Sequence, residues 1–88
     1  MDATAEQLTA ETARWRARLD RERARCTPKG PRGEEFLANI DAYRRDADHF
    51  EKAGDLVRAF ECVVWAWAWL EIGADAGEVR WERVDDKL

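Results

Sequence analysis

Ala59 to Gly73, AFECVVWAWAWLEIG, is the most apolar stretch of this 88-residue chain and holds three of its five tryptophans. Its periodicity constrains the fold more than any other feature. At about 100° per residue, Leu56, Phe60, Val63, Trp67 and Leu70 fall on one stripe, and Ala59, Val64 and Ala66 widen it. Such a face is made to rest on another helix. VVWAWAW does alternate as a strand would, but the apolar pattern runs on for four turns, beyond ordinary strand length. Asp55 stands where an N-cap is wanted and Gly73 where a helix stops, so a helix is expected over 55–72.

The back of this helix is apolar too. Trp65, Trp69 and Cys62 lie roughly opposite the first stripe, interrupted by Arg58 and Glu61. A helix that is apolar nearly all round is central to its fold. The unbroken run from Cys62 to Leu70 falls far short of the ~20 residues a membrane span needs, so no membrane partner is expected.

A second stripe precedes the first. Phe36, Ile40, Tyr43, Ala47 and Phe50 repeat the same spacing and place a helix over 34–52. Ala53, Gly54 and Asp55 then form a short turn, with Gly54 closing one helix and Asp55 capping the next. So short a loop makes the two helices antiparallel neighbours. Counting outward from the turn pairs Phe50 with Leu56, Ala47 with Phe60, Tyr43 with Val63, Ile40 with Trp67 and Phe36 with Leu70. Phe60 is therefore expected among the most buried residues, facing Ala47.

The chain before this hairpin is thinner in apolar residues. Thr4 and Gln7 fit a capping box for a helix over 4–25. Leu8, Thr12, Trp15 and Leu19 form its stripe, and Glu22 takes the next core-like position. Two prolines and two glycines in residues 26–33 mark a linker. Its glycine spacing rules out a phosphate-binding loop, and no apolar strand precedes it. Residues 73–88 form a tail in which Val79 and Trp81 begin a short strand or, with Val84, a short helix; both remain open. Trp81 is the residue expected to anchor this tail. The whole reads as one all-α domain, a small antiparallel three-helix bundle built around a helical hairpin. At this length a chain buries somewhat over ~60% of its unfolded surface, enough for one modest core.

Charge and cysteine content narrow the function classes. The net charge of −4 argues against a dedicated nucleic-acid binder, but the charge is uneven. Residues 1–33 carry eight Lys/Arg against five Asp/Glu, and residues 34–88 carry seven against fourteen. Arg14, Arg18, Arg21 and Arg25 share one helix face, the pattern of a phosphate-tracking stripe. Glu11 and Glu22 stand at pairing distance along the same helix, so a solvated, ion-paired face is the first reading. MDATAEQL has no apolar signal core, and the expected compartment is the cytosol, where Cys26 and Cys62 stay reduced. The hairpin separates these cysteines by about 15 Å of helical rise, too far for a disulfide.

The run from Tyr43 through Asp46, Ala47, His49 and Phe50, the turn at Gly54 and Asp55, and the alanine–tryptophan–leucine run closing on Glu71 and Gly73 resemble the archaeal domain of unknown function 357 family. The resemblance covers about residues 34–74. It implies a small helical domain and no established activity. The extra tryptophans and the segment after Gly73 depart from that pattern.

Two constellations invite chemistry. Asp46 and His49 supply at most two ligands on one helix, fewer than the three a catalytic metal site takes, so a surface pairing of the two is expected and no metal. Arg44 and His49 stand in an Arg-x4-His spacing that resembles the HEPN ribonuclease motif. That spacing sets the two side chains about 140° apart on a straight helix, and Arg45 replaces the usual polar residue. No catalytic residue or cofactor is expected. The expected function is a non-enzymatic protein-interaction or self-association module, with Trp65, Trp69, Cys62 and Trp81 as its surface. The alternative is a nucleic-acid role through the arginine stripe or through Arg44 and His49. The Trp65–Trp69 ridge needs a cover: helix one through Trp15, the tail through Trp81, or a second copy. An oligomer is the expectation.

Overall fold

The computed structural model describes residues 2–83. Three helices and a two-stranded ribbon follow one another: α1 (Ala3–Arg23), β1 (Cys26–Pro28), α2 (Gly33–Lys52), α3 (Leu56–Asp75) and β2 (Val79–Trp81). Of the two open readings of the tail, the one that included Val84 falls on a residue outside the described ones. The helical bundle stands as expected, and three differences from the sequence reading follow from local chemistry.

The first lies at the start of α1. Asp2, not Thr4, caps it: the Asp2 carboxylate accepts from the Ala5 N–H at 2.8 Å. A carboxylate also meets the positive end of the helix dipole, an advantage a threonine hydroxyl lacks.

The second concerns the end of α3. Gly73 does not stop this helix; it lies buried within it. A Cβ there would come within 2.9 Å of both the Phe36 ring and the Val79 side chain. The glycine thus admits α2 and the ribbon to close contact. The stop falls at Gly77, whose φ of 76° suits glycine. Glu78 N–H donates to the Gly73 carbonyl and Gly77 N–H to that of Ala74, a Schellman closure. Gly54 (φ 82°) closes α2 in the same way, and Asp55 then accepts from Arg58 N–H at 3.1 Å to open α3, as expected.

The third is the ribbon itself. The linker is not free: β1 pairs antiparallel with β2, Cys26 against Trp81 and Pro28 against Val79. Cys26 and Val79 point into the core, while Thr27 and Arg80 point out. Glu78 fastens the join, its carbonyl accepting from Lys29 and Gly30 and its carboxylate from Arg32 N–H. The chain segments before α2 and after α3 are therefore laced together, and of the two readings of the tail the strand holds at Val79–Trp81.

The hairpin is antiparallel and its levels are close to those expected, with Phe36 beside Trp69 and Tyr43 beside Trp65, but α3 turns a different side to α2. Ala59, Cys62, Ala66, Leu70 and Gly73 are the buried small-and-medium face of α3, and Ile40 and Ala47 are fully buried on α2. Small residues let the two backbones approach closely, so the buried surface of α3 extends from Val63, Trp67 and Leu70 round to Ala59, Cys62, Ala66 and Gly73. Phe60 is consequently turned toward α1 and is only half-buried. Cys62, expected on the outer surface, is in the core at 6% exposure. Leu8, Thr12, Trp15 and Leu19 carry α1 onto the hairpin, with Thr12 satisfied by donating to the Leu8 carbonyl. Ion pairs hold the other flank of α1 to α2: Arg16 to Asp48 and Glu51, Arg23 to Asp41, and Arg44 to Asp20. Partly exposed pairs of this kind contribute about 0–1 kcal/mol each, so they orient α1 more than they hold it.

Candidate interaction surface

Five tryptophans divide into two groups. Trp15, Trp67 and Trp81 form an inner cluster. Trp67 meets Trp15 edge-on at 6.0 Å and Trp81 at 6.3 Å, and its indole N–H donates to the Trp15 carbonyl. Trp81 donates to the Glu22 carboxylate at 3.0 Å, and the Arg83 guanidinium covers its face. The core-like place of Glu22 in the α1 stripe is explained by that indole. Trp81 anchors the tail as expected, but it does so in this cluster rather than over the ridge on α3.

Trp65 and Trp69 form the outer group, and neither of the two expected intramolecular covers reaches them, since Trp15 and Trp81 both pack on Trp67. Residues of α2 flank both. Trp69 packs edge-on against Phe36 at 5.0 Å, and Trp65 stacks on Tyr43 at 6.0 Å. This leaves Trp69 half-buried but Trp65 51% exposed. Along the same outward arc of α3 stand Val57 at 68%, Val64 at 49% and Ile72 at 59% exposure, with Ala68 between them. The sequence reading singled out the tryptophans of this arc, placed Val64 in the buried stripe although it is half exposed, and missed Val57, Ala68 and Ile72. An i, i+4, i+7 count along the back of α3 finds them.

Two apolar grooves border the arc. One, of about 340 Å³, runs between α1 and α3 over Trp15, Phe60, Val64, Trp67 and Ala68, with Glu71 at its end. The other, of about 270 Å³, runs between α2 and α3 over Phe36, Trp69 and Ile72, with Arg32 at its rim. Phe60, expected in the seam with α2, thus lines the first groove.

The arginine stripe lies on the flank of α1 turned away from α2, beside this first groove. Arg14 pairs with Glu11, and Arg25 with Glu22, as a solvated face does. Arg14 and Arg18 both lie over the Trp15 ring, at 5.4 and 4.8 Å from its centroid. Among the described residues no ion pair forms to Arg18 or Arg21, nor to Glu61, Glu71 or Asp75 across the groove.

The two chemical constellations come apart. Arg44 is turned to α1, where Asp20 takes two of its N–H groups and Asp48 lies 2.9 Å from Nη1, off the hydrogen-bond axis. The bonds to Asp20 hold its guanidinium firmly in the charged form. His49 is exposed, with its ring edge-on to Phe50, and among the described residues it makes no ion pair with Asp46. The fold does not bring Arg44 and His49 to one site. No group of three or more His, Cys, Asp or Glu among the described residues is placed to hold a metal. Cys26 and Cys62 are buried and unbonded. Burial pushes the Cys26 thiol up to about 11 and raises that of Cys62, so neither is a ready nucleophile at neutral pH. No described helix is long and apolar enough to cross a membrane.

Comparison with known proteins places this arrangement among relatives. The sequence profile of a family described as protein of unknown function (DUF357) matches residues 10–79. That span takes in most of α1 and reaches the ribbon, beyond the resemblance seen in residues 34–74. The crystal structure of protein AF1782 from Archaeoglobus fulgidus, a DUF357 protein, is similar to this chain, with a TM-score of 0.81 and 44% sequence identity. The match covers 90% of this chain and 99% of that one. No curated protein matches.

Proposed function

The chain belongs to the DUF357 family of proteins of unknown function, and we propose that it serves as a non-enzymatic, cytosolic protein-interaction module that docks through the outward arc of α3. One observation carries the reading: Val57, Val64, Trp65 and Ile72 leave about half or more of their surface in water along a single helix face. Scattered exposed apolar residues are ordinary; several along one helix side, three of them bordered by two apolar grooves, mark a binding surface. The stacking of Trp65 on Tyr43 supports this further, because a ring held in place loses little freedom when a partner covers it. The tethering of Arg44 by Asp20 and the outward place of His49 support a non-enzymatic role. The two buried thiols suit a reducing compartment.

A photo-crosslinker tests the reading. Benzoylphenylalanine is placed at position 68, between the grooves, and separately at exposed position 45 on α2 as a control. In cells of the source organism, a discrete protein adduct is expected from position 68 and none from position 45. Equal labelling of the two positions, or none from position 68, overturns it.

A further inference from the structure

The groove between α1 and α3 has walls of opposite charge. On the α1 side Arg14 and Arg18 lie over Trp15, with Arg21 one turn on; on the α3 side Glu71 lines the groove and Glu61 stands exposed farther out on the same helix. Arg18, Arg21, Glu61 and Glu71 have no ion-pair partner within the chain among the described residues. Between the walls lies an apolar floor of Trp15, Phe60, Val64 and Trp67.

The two helices run in the same direction, and their levels are readable. Leu8 shares a surface hollow with Leu56, and Trp15 shares the groove with Val63. Advancing equally along both helices brings Arg14 level with Cys62, next to Glu61, and Arg21 level with Trp69, about half a turn from Glu71. The opposed charges therefore match in height as well as in sign.

We infer that the occupant of this groove is the same groove of a second copy, related by a two-fold axis parallel to the helices. This rests on the reading of the α3 arc as a docking surface and names what docks there. A two-fold axis in that direction sets α1 of one chain over α3 of its partner at the same level. Arg21 and Arg18 then face Glu71 of the partner subunit, and Arg14 faces Glu61 of the partner subunit. Trp15, Phe60, Val64 and Trp67 meet their copies about the axis, giving the centre of a four-helix arrangement. A two-fold axis perpendicular to the helices would instead set arginine wall against arginine wall and carboxylate against carboxylate. Like charges in register disfavour that alternative.

Sedimentation velocity on the full chain tests the assignment, across about 10 to 500 μM to span a typical weak-to-moderate self-association. Wild type is expected to dimerise. Arg21→Glu and Glu71→Arg are each expected to weaken the dimer about tenfold or more, and the double reversal R21E/E71R to restore it, because the cross-pair is then opposite in sign again. Both residues are exposed, and circular dichroism checks that each variant remains helical. A wild type that stays monomeric throughout overturns the second copy. So does a dimer that single reversals tighten, since that places α1 on α1, or one that neither reversal changes. The crosslink at position 68 separates this failure from failure of the docking surface itself. An adduct of another mass beside a monomeric wild type removes only the second copy. No adduct beside an unaffected or absent dimer removes both.

Discussion

The indole N–H of Trp67 donates to the main-chain carbonyl of Trp15 at 3.1 Å, and the two rings meet edge to face at 6.0 Å. One side chain thereby joins α3 to the backbone of α1, a helix that otherwise offers only a thin apolar seam. Trp67→Phe keeps an aromatic edge and removes the donor. It is expected to cost about 1–3 kcal/mol, from the lost hydrogen bond and some lost contact area. Urea unfolding measures this, and hydrogen exchange should show faster opening in α1 than in α2.

Phe60 and Ile40 should part company on truncation. Phe60 lines the groove and is half-buried, whereas Ile40 is fully buried. Ile40→Ala is expected to cost about 2–5 kcal/mol, and Phe60→Ala distinctly less than the ~3–5 kcal/mol of a core phenylalanine. Thermal melts of dilute, monomeric protein check the order; a larger loss for Phe60→Ala would return Phe60 to the seam with α2.

Gly73→Ala inserts a Cβ where the Phe36 ring and Val79 stand 2.9 Å away. Alanine is the better helix former, by about 1 kcal/mol. The clash with two packed side chains is expected to outweigh that and leave a net loss of about 1–2 kcal/mol. Amide exchange should quicken first in β1 and β2, which Val79 ties to α3.

Cys26 gives the fold an alkaline limb. Its thiol ionises at about 11 in the folded chain, against a usual value of 9.0, because burial disfavours the thiolate. With the folded value raised, the contribution is fully present below pH 9 and is lost as pH rises from about 9 to about 11. The loss amounts to about 2 kcal/mol at most. Stability measured at pH 8 and pH 11 should fall less in Cys26→Ala than in wild type, and Cys26 should resist alkylation in the native protein at pH 8.

Much of the architecture is legible in local pattern. The stripes of Phe36 to Phe50 and Leu56 to Leu70 place α2 and α3, the Gly54–Asp55 turn makes them antiparallel, and Trp81 is marked as the tail anchor. These succeed because periodicity, capping and a short loop are properties of neighbouring residues. The pairing of Glu11 with Arg14 and Glu22 with Arg25 is legible for the same reason.

What local pattern could not decide was which of several apolar faces each helix turns to which neighbour. α3 is apolar on nearly every side, so its sequence does not rank them. Close approach ranks them: Ala59, Cys62, Ala66 and Gly73 let α2 in, which moves Phe60 out to the groove and Cys62 into the core. The same contact makes Gly73 a packing glycine rather than a helix stop, a distinction that exists only when Phe36 and Val79 are beside it. The strand at Val79–Trp81 was one of two open readings and its partner at Cys26–Pro28 was read as linker, because three-residue strands have no period to detect and are fixed by their pairing. Composition and periodicity settled that three helices form and where two of them turn. Tertiary packing settled which apolar surface is spent inside and which, from Val57 to Ile72, stays exposed.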